Sequence, residues 1–219
     1  MALFSGKGAD EPDSAPERFH EVRSRVQAAS GEKNPAMAFL ACDSGAGAST
    51  VALGMAAKAV LCQQTRVLLV DANLRTPALH ERLGCAGDRG LVELLDGSAS
   101  VDEVVQWPGG LGFAFIASGR GKGNPAAACG SPRLEDVVRS LKERFDLVVF
   151  DGAPITPYPD AVLVARRLDS VVLVLEEGVT RWEVARMARQ RLERAGVRLA
   201  GAIINKKRHP IPRRLYDLL

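Results

Sequence analysis

The feature that most constrains this chain of 219 residues is a glycine-rich turn between an apolar run and a helical pattern. Met37–Cys42 predicts a short buried strand, Ser44–Thr50 forms the turn, and Val51–Leu61 predicts a helix rich in Ala, Leu and Met. A strand, a glycine turn and a helix in this order place bare backbone N–H groups and a helix N-terminus where an anion can bind. The sequence therefore predicts a phosphate-binding loop.

The predicted loop departs from the usual pattern at one position. That pattern is G-x-x-x-x-G-K-[ST], in which the lysine reaches the outer phosphates and the hydroxyl holds Mg²⁺. Glycines and hydroxyls are present here, but the lysine position holds alanine. The candidate nucleotide-binding residues of the loop are Gly45, Gly47, Ala48 (the lysine position), Ser49 and Thr50.

Further along the chain, apolar runs that end in polar residues alternate with helical patterns. Val67–Val70 ends at Asp71, Leu147–Phe150 ends at Asp151, and the last run ends at Asn205. Continuous apolar runs are typical of strands buried on both faces of a parallel sheet. The alternation predicts an α/β, P-loop NTPase-like fold with a doubly wound, mostly parallel sheet and helices on both faces. Ligands bind such sheets at the carboxyl ends of the strands, so these polar residues should lie beside the loop.

Two of the strand-terminal residues are carboxylates, which suggests a magnesium site. Mg²⁺ in phosphoryl-transfer proteins is held by one or two carboxylates, a hydroxyl and waters. Asp71, Asp151 and Thr50, or Ser49 in its place, supply such a set. Alternatively, each aspartate caps the turn after its strand, but the presence of both behind a phosphate loop favours the metal site.

Composition and length bound the domain organisation. Residues 1–16 are polar and Pro-containing and are predicted to be disordered. Residues 17–205 form a single domain that begins with an amphipathic helix at 17–29, and residues 206–219 form a basic tail. The net charge of +3 gives no reason to expect a nucleic-acid partner. No membrane span or signal peptide is evident, so the predicted location is cytoplasmic, with recruitment to the inner face of the cell membrane.

Several segments together resemble a known family. Val67–Pro77 reads as an apolar run followed by D-x-N-x-R-x-P, which resembles the D-x-D-x-R-x-P segment of the bacterial tyrosine autokinases (BY-kinases). That family belongs with the ParA and MinD group of P-loop proteins and controls capsule and exopolysaccharide synthesis. Leu147–Pro154 resembles its Walker B strand. The remaining matching segments, in family order between about Glu17 and Asn205, are Gly90–Gly97, Gly119–Ala127, Asp160–Ala161 and Gly201–Asn205.

The resemblance implies a site for ATP and Mg²⁺, and this chain departs from it at two functional positions. The family lysine is Ala48, and the second aspartate of the motif, the family's candidate base for the tyrosine hydroxyl, is Asn73. An amide cannot serve as a general base, and loss of one electrostatic stabiliser costs about 10²–10³ in rate. We therefore predict a degenerate BY-kinase-like pseudokinase that regulates or scaffolds polysaccharide polymerisation and export. Its catalytic positions would be Asp71, Asn73 and Asp151, with Asn205 in the nucleotide pocket and binding of ATP or ADP weak or absent.

The resemblance also implies partners. The family acts with a membrane-embedded polysaccharide chain-length regulator, or co-polymerase, that contributes a cytosolic tail. Its kinase domains form rings through an E-x-x-R-x-x-R helix, which reads Glu17, His20 and Arg23 here, with one arginine replaced. Its phosphoacceptors are a C-terminal tyrosine cluster, of which this chain has only Tyr216 in the tail.

Two other hypotheses remain open at this point. The chain is an active tyrosine autokinase or ATPase if another cation replaces the lysine; the candidates are Lys58, Arg120, Lys122, Lys206 or an arginine of a neighbouring subunit. A partitioning ATPase of the related deviant P-loop group is disfavoured, because that group has an extra lysine where this chain has Ser44. A deliberate lysine-to-alanine change would account for Ala48 but would leave Asn73 unexplained.

Overall fold

Parallel strands form one sheet in the computed structural model, which describes residues 3–5, 24, 26, 28, 31–63, 65–120, 124–158 and 160–206. Over these residues the sheet has seven strands in the order β1-β7-β6-β2-β5-β3-β4, and all neighbouring pairs are parallel. The strands are β1 Leu3–Ser5, β2 Ala36–Ala41, β3 Val67–Ala72, β4 Ala114–Ile116, β5 Leu147–Gly152, β6 Ser170–Glu176 and β7 Leu199–Asn205. This order confirms the predicted doubly wound parallel sheet.

Helices connect the strands and cover both faces of the sheet. The helix Ala48–Gln63 follows β2 directly and is named here the P-loop helix. Others are amphipathic: in Arg133–Arg144 one face buries Leu134, Val138 and Leu141 while charged residues face solvent. The remaining described helices are Leu79–Leu83, Leu91–Asp96, Val101–Val104, Pro125–Cys129, Ala161–Ala165 and Trp182–Arg194.

Two hydrophobic cores lie on opposite faces of the sheet because successive side chains of a strand point in opposite directions. In β2, Ala38 and Leu40 pack into one core while Met37 and Phe39 pack into the other. All six residues of β2, β3 and β5 are buried, as a strand covered on both faces requires. The continuous apolar runs of the sequence are therefore the central strands.

The N-terminal region differs from the sequence-based prediction. Disorder was expected through residue 16, but Leu3–Ser5 forms a strand paired with Ala202–Ile204 of β7. Without this strand β7 would be the sheet edge and would present a row of unpaired N–H and C=O groups. The sheet therefore extends beyond the predicted domain start at residue 17. Among the described residues, no helix has the length and apolar character needed to cross a membrane.

Candidate functional site

The strand register brings the two predicted carboxylates side by side. Asp71 at the end of β3 pairs in register with Asp151 at the end of β5. Asp151 is also in register with Phe39 of β2, the strand that runs into the glycine turn. The loop, both carboxylates and the start of the P-loop helix therefore share one edge of the sheet, as the sequence predicted.

The glycine turn depends on backbone conformations that favour glycine. Gly45 and Gly47 have φ values of +91° and +88°, in the left-handed region. A Cβ on Gly47 would lie 2.4 Å from Nδ2 of Asn205, so the absence of a side chain there is also a packing requirement. Asn205 donates from Nδ2 to the carbonyl oxygen of Ala46 at 2.9 Å and ties the end of β7 to the turn. Asn205 thus holds the shape of the loop.

Asp71 is fully buried and acts on the backbone that follows β3. Its Oδ1 accepts from the amide of Asn73 at 3.1 Å, and its Oδ2 accepts from the amide of Leu79 at 3.2 Å. Burial raises the pKa of Asp71 to about 6, against the lowering effect of these N–H groups. Both oxygens are occupied, so the turn-capping role considered from sequence is present in the structure.

Asp151 is the carboxylate with bonding capacity to spare. It is 1% exposed, and its Oδ1 has no hydrogen-bond partner among the described residues. Burial and then the neighbouring Asp71 raise the pKa of Asp151 to about 7, while a hydrogen bond from Ser49 and the charge of Arg82 lower it. A buried oxygen without a partner is costly unless a proton or a cation satisfies it.

The residues present fit a magnesium ion at this point. An orphaned carboxylate oxygen beside a serine hydroxyl is a hard oxygen donor set of the kind Mg²⁺ binds together with waters. The structure places Ser49, not Thr50, in contact with Asp151. Thr50 is exposed and accepts a hydrogen bond from Nη1 of Arg82 at 3.3 Å. Of the two hydroxyls named from sequence, Ser49 is therefore the one beside the carboxylates.

Asn73 is occupied by local structure. Its Nδ2 donates to Oγ1 of Thr76 at 3.1 Å, and its Oδ1 accepts from the amide of Thr76 at 3.2 Å. The side chain is 8% exposed. Asn73 thus stabilises the turn after β3, a role in which an amide side chain is common.

The lysine position is apolar and partly enclosed. Ala48 is 6% exposed and packs with the core beneath the P-loop helix. Two of the predicted substitute cations are engaged elsewhere: Lys206 pairs with Glu176 at 3.1 Å, and Arg120 pairs with Asp88 at 3.1 Å. Lys58 is exposed, in the third turn of the P-loop helix. Lys122, Glu17, His20, Arg23 and Tyr216 lie outside the described residues.

Two basic residues near the site were not recognised from sequence as site residues. Arg82 was missed because it follows the family-like segment and belongs to no motif that we considered. Arg75, known only as a motif letter, pairs with Asp160 at 3.0 Å and lies over the ring of Tyr158 at 5.2 Å. The pairing joins segments 85 residues apart, which spacing alone could not indicate.

A parallel sheet whose central strand feeds a glycine turn, with carboxylates on adjoining strand ends, defines a P-loop NTPase-like protein. Comparison with known proteins agrees and is more specific. The chain is 32% identical to "Tyrosine-protein kinase YwqD" of Bacillus subtilis, over 95% of this chain and 92% of that protein. The solved "kinase domain of Escherichia coli tyrosine kinase ETK" superposes with a TM-score of 0.81 at 27% identity, covering 92% of this chain and 80% of that one. The chain belongs to the family of bacterial tyrosine-protein kinases.

The other comparisons set the limits of this assignment. No family model matches the chain. Escherichia coli Etk is 30% identical over 90% of this chain, but the chain spans only 27% of Etk. The Pyrococcus furiosus cell division ATPase MinD shares the fold, with a TM-score of 0.66 at 20% identity over 84% of this chain and 79% of that one.

Proposed function

We propose that this chain is a kinase-like regulator or scaffold in exopolysaccharide or capsule export that does not transfer phosphate to tyrosine. The family membership supplies the system in which it acts, since the resembled family serves polysaccharide polymerisation. The replaced residues supply the reason for a non-catalytic role. Ala48 carries the proposal, because it is a buried methyl group at the position from which a lysine would reach the outer phosphates.

The geometry around Asn73 supports the same proposal. An aspartate at this position would add a third carboxylate near Asp71 and Asp151 and could accept the tyrosine proton. The asparagine instead is hydrogen-bonded to Thr76 through both of its polar atoms. Ala48 removes a positive charge and Asn73 a negative one, so the net charge of the site is the same as with both family residues present. A balanced exchange of this kind leaves the fold intact while it removes two chemical groups needed for transfer.

Phosphotransfer assays test the proposal directly. The wild type should incorporate no labelled phosphate from MgATP into itself or into a Glu/Tyr copolymer, even at long incubation. The double variant Ala48→Lys, Asn73→Asp should gain transfer to the copolymer, because both missing groups return to a preserved framework. The single variants serve as matched controls, and each should gain less than the pair. Incorporation by the wild type that disappears in Asp151→Asn would contradict the proposal.

A second candidate function is an active kinase or ATPase that uses a substitute cation. The contact between Arg82 and Thr50 favours it, because it brings a positive charge to the N-terminus of the P-loop helix. Phosphate release from MgATP by the wild type, lost in Arg82→Ala, would support this function over the first.

The partner we propose is a separate membrane-embedded chain-length regulator whose cytosolic tail docks on this domain. Support comes from the resembled family and from the absence of a membrane-spanning helix among the described residues. A fluorescent fusion of the chain should collect at the cell membrane when the regulator is co-expressed and disperse when its cytosolic tail is deleted.

A further inference from the structure

We propose that Arg82 binds the phosphate chain of a nucleotide at the P-loop, in place of the lysine that the loop lacks. The inference deepens the proposed function and rests on it in one respect, namely that the loop is a nucleotide-type site. It does not depend on whether phosphate is transferred. The ligand class is a nucleoside di- or triphosphate with its magnesium ion.

The position of Arg82 is the first argument. Its Nη1 donates to Oγ1 of Thr50 at 3.3 Å, in the first turn of the 16-residue P-loop helix. At that helix end the free backbone N–H groups and the positive end of the dipole already favour an anion. Arg82 therefore adds a full charge to the side of the loop where phosphate oxygens would bind.

The short helix that carries Arg82 is anchored to the site itself. Leu79–Leu83 begins where the amide of Leu79 donates to Oδ2 of Asp71, and it ends at Gly84 with a φ of +62°. A buried carboxylate at one end and a left-handed glycine at the other fix the direction of this helix. Arg82 is thus carried by a segment held in place by the carboxylate of β3.

Arg82 is available for a ligand, whereas its basic neighbours are not. Arg75, Arg89 and Arg120 each pair with a carboxylate within 3.3 Å. Within the described ranges Arg82 forms no such ion pair, and its hydrogen bond to Thr50 is to a neutral hydroxyl. A guanidinium can bind two phosphate oxygens in parallel and keeps its charge at any physiological pH.

A second observation points to a ligand at the same edge. Oδ1 of Asp151 is buried without a partner in the described part of the chain, and the field of Arg82 lowers the pKa of this carboxyl group. The first fact indicates a missing cation or proton, and the second indicates that Arg82 acts electrostatically on the site from which Mg²⁺ would bridge to phosphate. Arginine and metal would then share the neutralisation of the phosphate chain.

Calorimetric titration of the full chain with MgATP, MgADP and magnesium pyrophosphate tests the proposal. The wild type should bind all three. Arg82→Ala should weaken each about tenfold to a hundredfold, because a charge-assisted hydrogen bond is lost. Arg82→Lys should bind with intermediate affinity, since it keeps the charge but not the fork. The control Arg89→Ala removes an exposed arginine of the same surface and should leave affinity unchanged.

Ala48→Lys in the Arg82→Ala background should restore binding, because it returns a cation from the opposite side of the loop. Wild-type affinity equal to that of Arg82→Ala, or no wild-type binding of any of the three ligands, would overturn the proposal. A loss confined to MgATP and MgADP, with pyrophosphate unaffected, would also overturn it, because the contact would then not be to phosphate. Phosphotransfer by a wild type that shows the Arg82 dependence would refute only the pseudokinase function and leave Arg82 in its role.

Discussion

Asp151 offers a sharp test of the buried carboxylate site, through the replacement Asp151→Asn in metal-free buffer. The side chain is 1% exposed, its Oδ1 has no partner among the described residues, and its pKa is raised to about 7 by burial and by Asp71. The ionised form is therefore disfavoured in the folded protein. An asparagine keeps the shape of the side chain and removes its titration.

The direction and size of the effect follow from the two pKa values. In the unfolded chain the carboxyl group has its ordinary pKa of 3.8, and in the folded protein it is about 7. Between these values the folded state binds the proton and the unfolded state does not, so the free energy of unfolding falls as pH rises. The slope is about 1.4 kcal/mol per pH unit. From pH 5 to pH 8 the wild type should lose about 3 kcal/mol relative to Asp151→Asn, with no further loss above pH 7 to 8.

Urea unfolding at pH 5, 6, 7 and 8 with a chelator present measures this difference. At pH 8 the variant should be more stable by about 1–3 kcal/mol, because the new amide N–H also lacks a partner and costs part of the gain. Asp88→Asn, at a carboxylate that is 69% exposed, is the control and should leave the pH dependence as in the wild type. A wild type and an Asp151→Asn variant with parallel pH profiles would refute the reasoning that burial leaves this carboxylate strained.

Three glycine and amide contacts carry further predictions. Asn205→Ala should remove the bond to Ala46, lower stability by about 1 kcal/mol and weaken nucleotide binding, as thermal unfolding and calorimetry would register. Gly47→Ala should displace Asn205 and weaken nucleotide binding at least as much, because it also forces a left-handed φ on alanine; unchanged affinity would contradict the clamp. Gly90→Ala should destabilise the fold by several kcal/mol in urea unfolding, on the order of a severe overpacking change, because its Cβ would meet the carbonyl of Ala117.

Prediction from sequence worked best where a local pattern has one structural meaning. A buried apolar run that ends in aspartate, as at Asp71, specifies a strand and its carboxyl end, and the parallel order then places it beside the glycine turn. The same reasoning failed at Leu3–Ser5, because a three-residue apolar segment becomes a strand only when a neighbouring edge is free to pair with it. The choice between Ser49 and Thr50 also lay beyond the sequence, since the two hydroxyls are adjacent and only packing decides which one faces Asp151.

The sequence by itself determined the fold class, the family and the two missing chemical groups, at Ala48 and Asn73, because these depend on residue type and on order along the chain. Tertiary structure decided which carboxylate remains unsatisfied and which cation is free. Asp71 has both oxygens occupied while Asp151 has one without a partner, a difference set by the backbone amides that happen to surround each. Arg82 reaches Thr50 across 32 residues of chain, and such a contact exists only once the helices have packed on the sheet.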